Sequence, residues 1–226
     1  MDVTNKTARI AGLLYLITVV TGLFSLVYVP SQINAHGDAA ATVNNIIASE
    51  SLFRAGIAVG SIGYVAFLLL PLALYKLLSP VNRDAAVVMV ALAVACIPID
   101  FVAIADQLDI LALLDDDQYQ RAFVPGQLYA QIMMLREASF DRIFISEIFW
   151  GLWLFPFGYL VFKSGFLPRT LGIVLMIGCF SYLITFFGRI LLPHFAIPRF
   201  VMWPAMLGEI GICLWLLIMG VHQKAA

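Results

Sequence analysis

A-G-I-A-V-G-S-I-G-Y-V-A-F-L-L-L-P-L-A-L-Y-K-L-L, Ala55 to Leu78, is the stretch that decides the fold. It holds one charge, Lys76, near its end. A helix of this length rises about 36 Å at about 1.5 Å per residue, enough to cross a hydrocarbon layer of about 30 Å. Apolar and polar residues do not alternate along it, so it is not a barrel strand. In lipid every backbone N–H and C=O must find a partner within the segment or its sheet. A transmembrane helix is the reading that satisfies both length and backbone.

Five further runs of the same kind flank it. After the turn S-P-V-N-R (Ser79 to Arg83) comes a run over 85–105, and before it one over 10–29. Later runs cover 143–162, 170–192 and 200–221, with K-S-G-F-L-P-R (Lys163 to Arg169) as a second short hairpin connection. The first run exceeds the apolar core of a signal peptide (about 7–15 residues) and no A-x-A-like site follows it, so it reads as a retained helix. Spans at 10–29, 55–78, 85–105, 143–162, 170–192 and 200–221 predict an all-α, polytopic membrane bundle of six helices, one integral membrane domain over 1–226.

Composition agrees. Of 226 residues, 62% are hydrophobic and 12% charged, with a mean hydropathy of +0.97. A soluble domain carries about 25% charged residues and could not cover its surface with half of that. The net charge of −1 and the lack of a basic stretch exclude nucleic acid as a partner. Cys96, Cys179 and Cys213 each sit inside an apolar run, which makes them packing residues and not a disulfide framework.

Two connections are longer. In Pro30 to Arg54, Asp38 is placed to N-cap a short helix with Val43, Ile46 and Ile47 on one side, an interfacial element on the outer face. Asp115 to Arg142 starts with D-D-D, another cap-like beginning, passes V-P-G at Val124 to Gly126, and leads as helix into the fourth span.

Loop charge gives the orientation. With the N-terminus inside, one side carries Lys6, Arg9, Lys76, Arg83, Lys163, Arg169 and Lys224 against Asp2 and Asp84, a net +5. The other side carries six arginines against twelve carboxylates, a net −6, and the two sides sum to the chain's −1. The positive residues of the first side lie in very short loops, where the positive-inside rule applies best. Both termini are therefore expected in the cytoplasm.

A weak echo runs through the chain. Glu50-Ser-Leu-Phe-Arg54 precedes the second span and Glu137-Ala-Ser-Phe-Asp-Arg142 the fourth, and Pro71 and Ser79 recur as Pro156 and Ser164. Parallel helical repeats occur in transporter folds.

R-I-A-G-L-L-Y-L (Arg9 to Leu16), D-A-A-A-T-x-x-N-I-x-A-S-E-x-L-F-R (Asp38 to Arg54), F-W-G-L-W-L-F-P-F-G (Phe149 to Gly158) and K-S-G-F-L-P-R-x-L-G (Lys163 to Gly172) resemble a bacterial membrane family catalogued as a domain of unknown function (number 4386). The resemblance covers nearly the whole chain. It implies bacterial origin, hence the cytoplasmic (inner) membrane, one domain and a helical membrane fold. It implies no substrate and no catalytic residues.

Function has to come from polar residues in apolar runs. An ionisable group at mid-helix costs roughly 2.5–3.5 kcal/mol on insertion scales and marks a functional hypothesis. Asp100, Asp106, Arg142, Glu147, Arg189 and Glu209 share a depth band in the outer half and form the candidate ligand-binding cluster. Asp100 and Asp106 differ by about 240° around their helix, whereas Asp100 and Gln107 face one way. Glu209 has no basic residue within two turns inward, so its expected partner is an arginine of another helix, Arg189 or Arg142. The alternative for the whole cluster is ion-pair struts that bind nothing.

Histidines 36, 194 and 222 lack metal-site spacing, and no H-E-x-x-H appears. No G-x-S-x-G elbow, Ser-x-x-Lys pair or phosphate loop is present, so no cofactor and no metal are expected. Gly56-x-x-x-Gly60, with Ser61 and Gly63, reads as a packing face. The residues favour binding of a lipid or small amphiphile in an outer-half polar cavity, with membrane lipids as partners. The alternatives are a proton- or ion-coupled transporter and a membrane-embedded hydrolase or oxidase using His36 or His194 with Glu147 or Asp100.

Overall fold

Helices make up every regular element among the residues that the computed structural model describes, which are 3–35, 37–116, 119, 121 and 123–221. In order they are α1 (Val3–Gly22), a π-helical segment (Leu23–Tyr28), α2 (Val29–Ile33), α3 (Ala39–Ala48), α4 (Glu50–Leu78), α5 (Arg83–Ala95), α6 (Ile97–Asp115), α7 (Pro125–Leu152), α8 (Leu154–Ser164), α9 (Arg169–Leu191), a 3₁₀ turn (Arg199–Met202) and α10 (Trp203–Ile218). Among the described residues, six stretches are long and apolar enough to cross a membrane: Asn5–Ile33, Glu50–Leu78, Arg83–Asp115, Gly126–Ser164, Arg169–Leu191 and Arg199–Ile218. The chain is an all-α, multi-pass membrane protein. On α10, Leu207 is 68% and Trp203 62% exposed, a surface that water would penalise and lipid would not.

Prolines explain the breaks. Pro98 and Pro156 lack the N–H that the carbonyls of Val94 and Leu152 would accept, and the third and fourth spans turn at Cys96 and Trp153. Pro30 removes the partner of the Leu26 carbonyl. The preceding turn widens to the π form, in which the Val29 N–H reaches back five residues to the Phe24 carbonyl.

The third span runs further than the hydropathy pattern predicts, and the helix after V-P-G leads into the fourth span as the sequence predicts. The third span continues from Ala105 to Asp115, and the helix of the fourth begins at Pro125, eighteen residues before Ile143. Acidic residues interrupt the apolar run in α6, yet Ile110, Leu111 and Leu113 are buried and Asp106 is held by Arg142. The D-D-D stretch does not start a helix at Asp115, which is instead the last residue of α6 and accepts from Arg54. Asp117 lies outside the described residues, as do His36, His222 and Lys224.

Backbone contacts divide the chain into two compact units. The first comprises Met1–Thr18, Val65–Ile97 and Phe144–Ala226. Here α8 and α9 touch backbone to backbone: a Cβ on Gly158 would stand 2.5 Å from the Gly172 carbonyl oxygen, and one on Gly172 would stand 2.7 Å from that of Gly158. Gly178 meets Ala205 of α10 in the same way, at 2.9 Å from its Cα. Gly165, at φ 70°, ends α8 in the left-handed conformation that spares its last carbonyls. Trp153, buried at the turn between α7 and α8, stacks on Phe157 at 5.1 Å and meets Phe67 edge-on at 5.4 Å and Tyr15 at 6.1 Å.

The second unit comprises Val19–Tyr64 and Pro98–Ile143. Its seam is the small-residue stripe of α4. A Cβ at Gly56, Gly60 or Gly63 would meet Val29, Ser25 or Thr21, so the three glycines seat three residues spaced by four on the first span. Asp38 caps α3, accepting from the Ala41 N–H at 2.8 Å as its sequence predicts. Val43 and Ile46 of α3 are buried, but Ile47 is exposed, because the buried face turns toward Thr42 instead. The echoed arginines acquire a shared role here: Arg54 grips Asp115 and Arg142 grips Asp106, both on α6.

Candidate functional site

The six residues of the predicted polar cluster fall three to each unit. Asp100, Asp106 and Arg142 belong to the second. Asp100 is wholly buried, and Asp106 and Arg142 form an ion pair with the carboxylate on the buried side. Glu147, Arg189 and Glu209 belong to the first. Arg189 lies over the Phe144 ring at 4.4 Å, Phe144 stacks on Phe186 at 4.6 Å, and the Arg189 charge acts on Glu147.

Glu209 departs from its expected pairing. Its oxygens accept hydrogen bonds from Tyr182 Oη at 3.0 Å and Tyr15 Oη at 3.2 Å, not from Arg189 or Arg142. The physical reason is cost. Two phenol hydroxyls satisfy a carboxylate in an apolar span without placing a second charge there. Glu209→Gln replaces one accepting oxygen by an NH2, so one tyrosine hydroxyl must turn to accept, and both lose a charge-assisted hydrogen bond. The expected loss is about 1–3 kcal/mol of stability, and Tyr182→Phe should cost less in the Gln background than in the wild type. Additive losses in melts of the single and double variants would show that the three groups are not coupled.

A cavity lies in the second unit, and none of the six predicted residues lines it. Leu26, Val29, Phe53, Ile110, Phe140 and Ile143 form its apolar walls, and Ser25, Gln107, Arg136 and Ser139 its polar lining. Its volume is about 30 Å³, and on this measure one water requires about 10–15 Å³. Pro30 and the π-helical turn place Ser25 and Leu26 here, consistent with the habit of π turns to occur at functional sites.

The polar lining is organised by α7 against α6. Ser139 Oγ donates to the Ala103 carbonyl at 2.9 Å and accepts from Gln107 Nε2 at 3.1 Å. Three residues before it on α7, Arg136 is only 7% exposed. It donates to Asn34 Oδ1 and lies over the Phe140 ring at 5.1 Å. Among the described residues no carboxylate lies within 4 Å of it.

Arg136 lies outside the apolar runs and is followed by Glu137, so nothing in the linear sequence marks it as a buried cation. Adjacent helix residues point about 100° apart. Glu137 is exposed while Arg136 is buried. The one available signal was the spacing of its neighbours: Ile132, Arg136, Ser139 and Ile143 recur at helical intervals on one face. Gln107, singled out for its shared face with Asp100, does line the cavity, and Asp100 does not. His194 is exposed beyond α9.

Residues 10–220 match a protein family described as a domain of unknown function (DUF4386). Neither the curated proteins nor the solved structures give a match to this chain.

Proposed function

We propose, for a chain that belongs to the DUF4386 family and inherits no activity from that description, that it binds a lipid or other amphiphilic molecule whose polar head enters the cavity of its second unit. One observation carries this reading: the same small cavity is walled by aliphatic and aromatic side chains and also lined by the polar Ser25, Gln107, Arg136 and Ser139. Ligand sites combine mostly apolar walls with a few polar groups that fix orientation. Amphiphiles are the solutes that a membrane supplies at high local concentration. Ile110 lines the cavity from α6, so Ile110→Trp should fill it. The expected result is loss of co-purified or added amphiphile in native mass spectrometry, with the six-span fold retained by circular dichroism. An amphiphile bound as well by Ile110→Trp as by the wild type would remove the cavity as its site.

The membrane in this reading is the inner membrane of a bacterium, with both termini in the cytoplasm. The net charges of +5 and −6 assigned to the two sides support it. A phosphatase fused after Ala226 should be inactive and a fluorescent protein there bright. Phosphatase activity at that fusion would reverse the topology.

A second reading, proton- or ion-coupled transport, is favoured by Glu209, a carboxylate in an apolar span whose partners are two neutral phenols. Gradient-driven uptake into proteoliposomes that disappears in Glu209→Gln would carry it. Uptake unchanged in that variant would dismiss Glu209 from any coupling.

A further inference from the structure

We infer that the head of the bound amphiphile is a carboxylate, held by Arg136. The inference rests on the proposed occupation of the second unit's cavity and adds the chemistry of the occupant.

The argument starts from the three arginines placed in that unit by α4 and α7. Arg54 and Arg142 each grip an aspartate of α6. Arg136 does not. It is the most buried of the three, and its described partners are a neutral amide oxygen, Asn34 Oδ1, and the face of Phe140. A guanidinium carries five N–H donors and no acceptor and stays charged, so one amide and one ring leave most of its hydrogen-bonding capacity unused. A buried cation without a counter-charge is strongly unfavourable, and an anion bound in the cavity that Arg136 lines would remove that penalty.

Size and shape choose among anions. The cavity volume of about 30 Å³ corresponds to about two waters on the measure that assigns one water about 10–15 Å³. Two oxygens on one carbon fit that volume. They also match the fork of the guanidinium, which binds carboxylates through two parallel hydrogen bonds. Ser139 is committed to Gln107 and to the Ala103 carbonyl, which holds the polar lining in place before any ligand arrives. Phe140 lies against Arg136 and lines the cavity as well. With Ile110 and Ile143 it offers an apolar surface next to the charge, which suits a hydrocarbon attached to the head and not a free anion.

The test uses the full chain in a neutral detergent and measures displacement of radiolabelled dodecanoate by unlabelled dodecanoate, dodecanol, dodecyl phosphate and acetate. Dodecanoate is expected to bind at least about thirtyfold more tightly than dodecanol, the ratio that loss of one partner of a buried charge pair produces. Arg136→Gln should abolish that ratio by weakening dodecanoate alone, with Arg136→Lys in between. If Arg136→Gln fails to fold, the wild-type ratio of acid to alcohol still decides. Equal binding of dodecanoate and dodecanol overturns the inference and leaves the amphiphile reading standing. Tighter binding of dodecyl phosphate than of dodecanoate reassigns the head to phosphate and overturns the carboxylate. Acetate competing as well as dodecanoate overturns the amphiphile and leaves a free-anion site. No binding of any of the four removes both the inference and the reading beneath it.

Discussion

Gly158→Val is expected to lower the melting temperature by on the order of 10 °C, equivalent to about 3–4 kcal/mol for a chain of this size. A Cβ at position 158 would stand 2.5 Å from the Gly172 carbonyl oxygen, 2.8 Å from Met176 Cγ and 2.9 Å from the Met176 backbone nitrogen. Two of those three neighbours are backbone, which no rotamer change can clear. The axes of α8 and α9 must part by about an ångström, and the dispersion contacts of the whole seam then weaken together. Helix association in lipid depends on such close approach, because lipid tails are as apolar as the buried side chains. Gly22→Ala is the matched control. Nothing lies within 4 Å of a Cβ built there, so it should be neutral or stabilise by up to about 1 kcal/mol through helix propensity. Equal melting temperatures for the two variants would show that the α8–α9 contact is not a close one.

The contrast between those two glycines marks what a sequence can disclose. Six apolar runs, the Asp38 cap and the Gly56-x-x-x-Gly60 face follow from local pattern, and each appears in the structure where the pattern places it. Gly158 and Gly172 are not spaced on one helix. They meet only because α8 and α9 form a hairpin around Gly165, so their importance is a property of the pair. Helix ends were misjudged for a related reason. Hydropathy stops at Ala105 because Asp106 is charged, but the ion pair with Arg142, distant in sequence, lets the helix continue.

The candidate site divides along the same line. Ionisable residues in apolar runs were legible, and depth along the helix gave their order. Their partners were not, because a carboxylate accepts equally from a guanidinium and from a phenol. Glu209 was matched to an arginine by charge, whereas Tyr15 and Tyr182 reach it from α1 and α9 as neutral donors. Arg136 and Glu137 are adjacent opposite charges in the sequence, and only the third dimension separates the buried one from the exposed one. Charge tells which residues need a partner. Topology tells which partner they get.

Trp153→Ala is expected to cost about 3–5 kcal/mol, the range for deleting a buried large aromatic. Trp153 is almost fully buried at the turn imposed by Pro156. Its ring stacks on Phe157 with the planes 7° apart and takes the edge of Phe67. Tyr15 packs against it at 6.1 Å and also donates to Glu209. Truncation at 153 therefore leaves a void and removes the surface that fixes the Tyr15 ring, so the tyrosine–carboxylate contact should loosen with it. Trp153→Phe keeps a ring against Phe157 and should recover about half of the loss, each aromatic pair contributing about 0.5–1.5 kcal/mol beyond burial. The coupling supplies the sharper test. In the Trp153→Ala background, Tyr15→Phe should cost measurably less than in the wild type, because the hydroxyl it removes is no longer held in place. Undiminished cost of Tyr15→Phe in that background would mean that Tyr15 is positioned by something other than Trp153, whatever the melting temperature of Trp153→Ala itself.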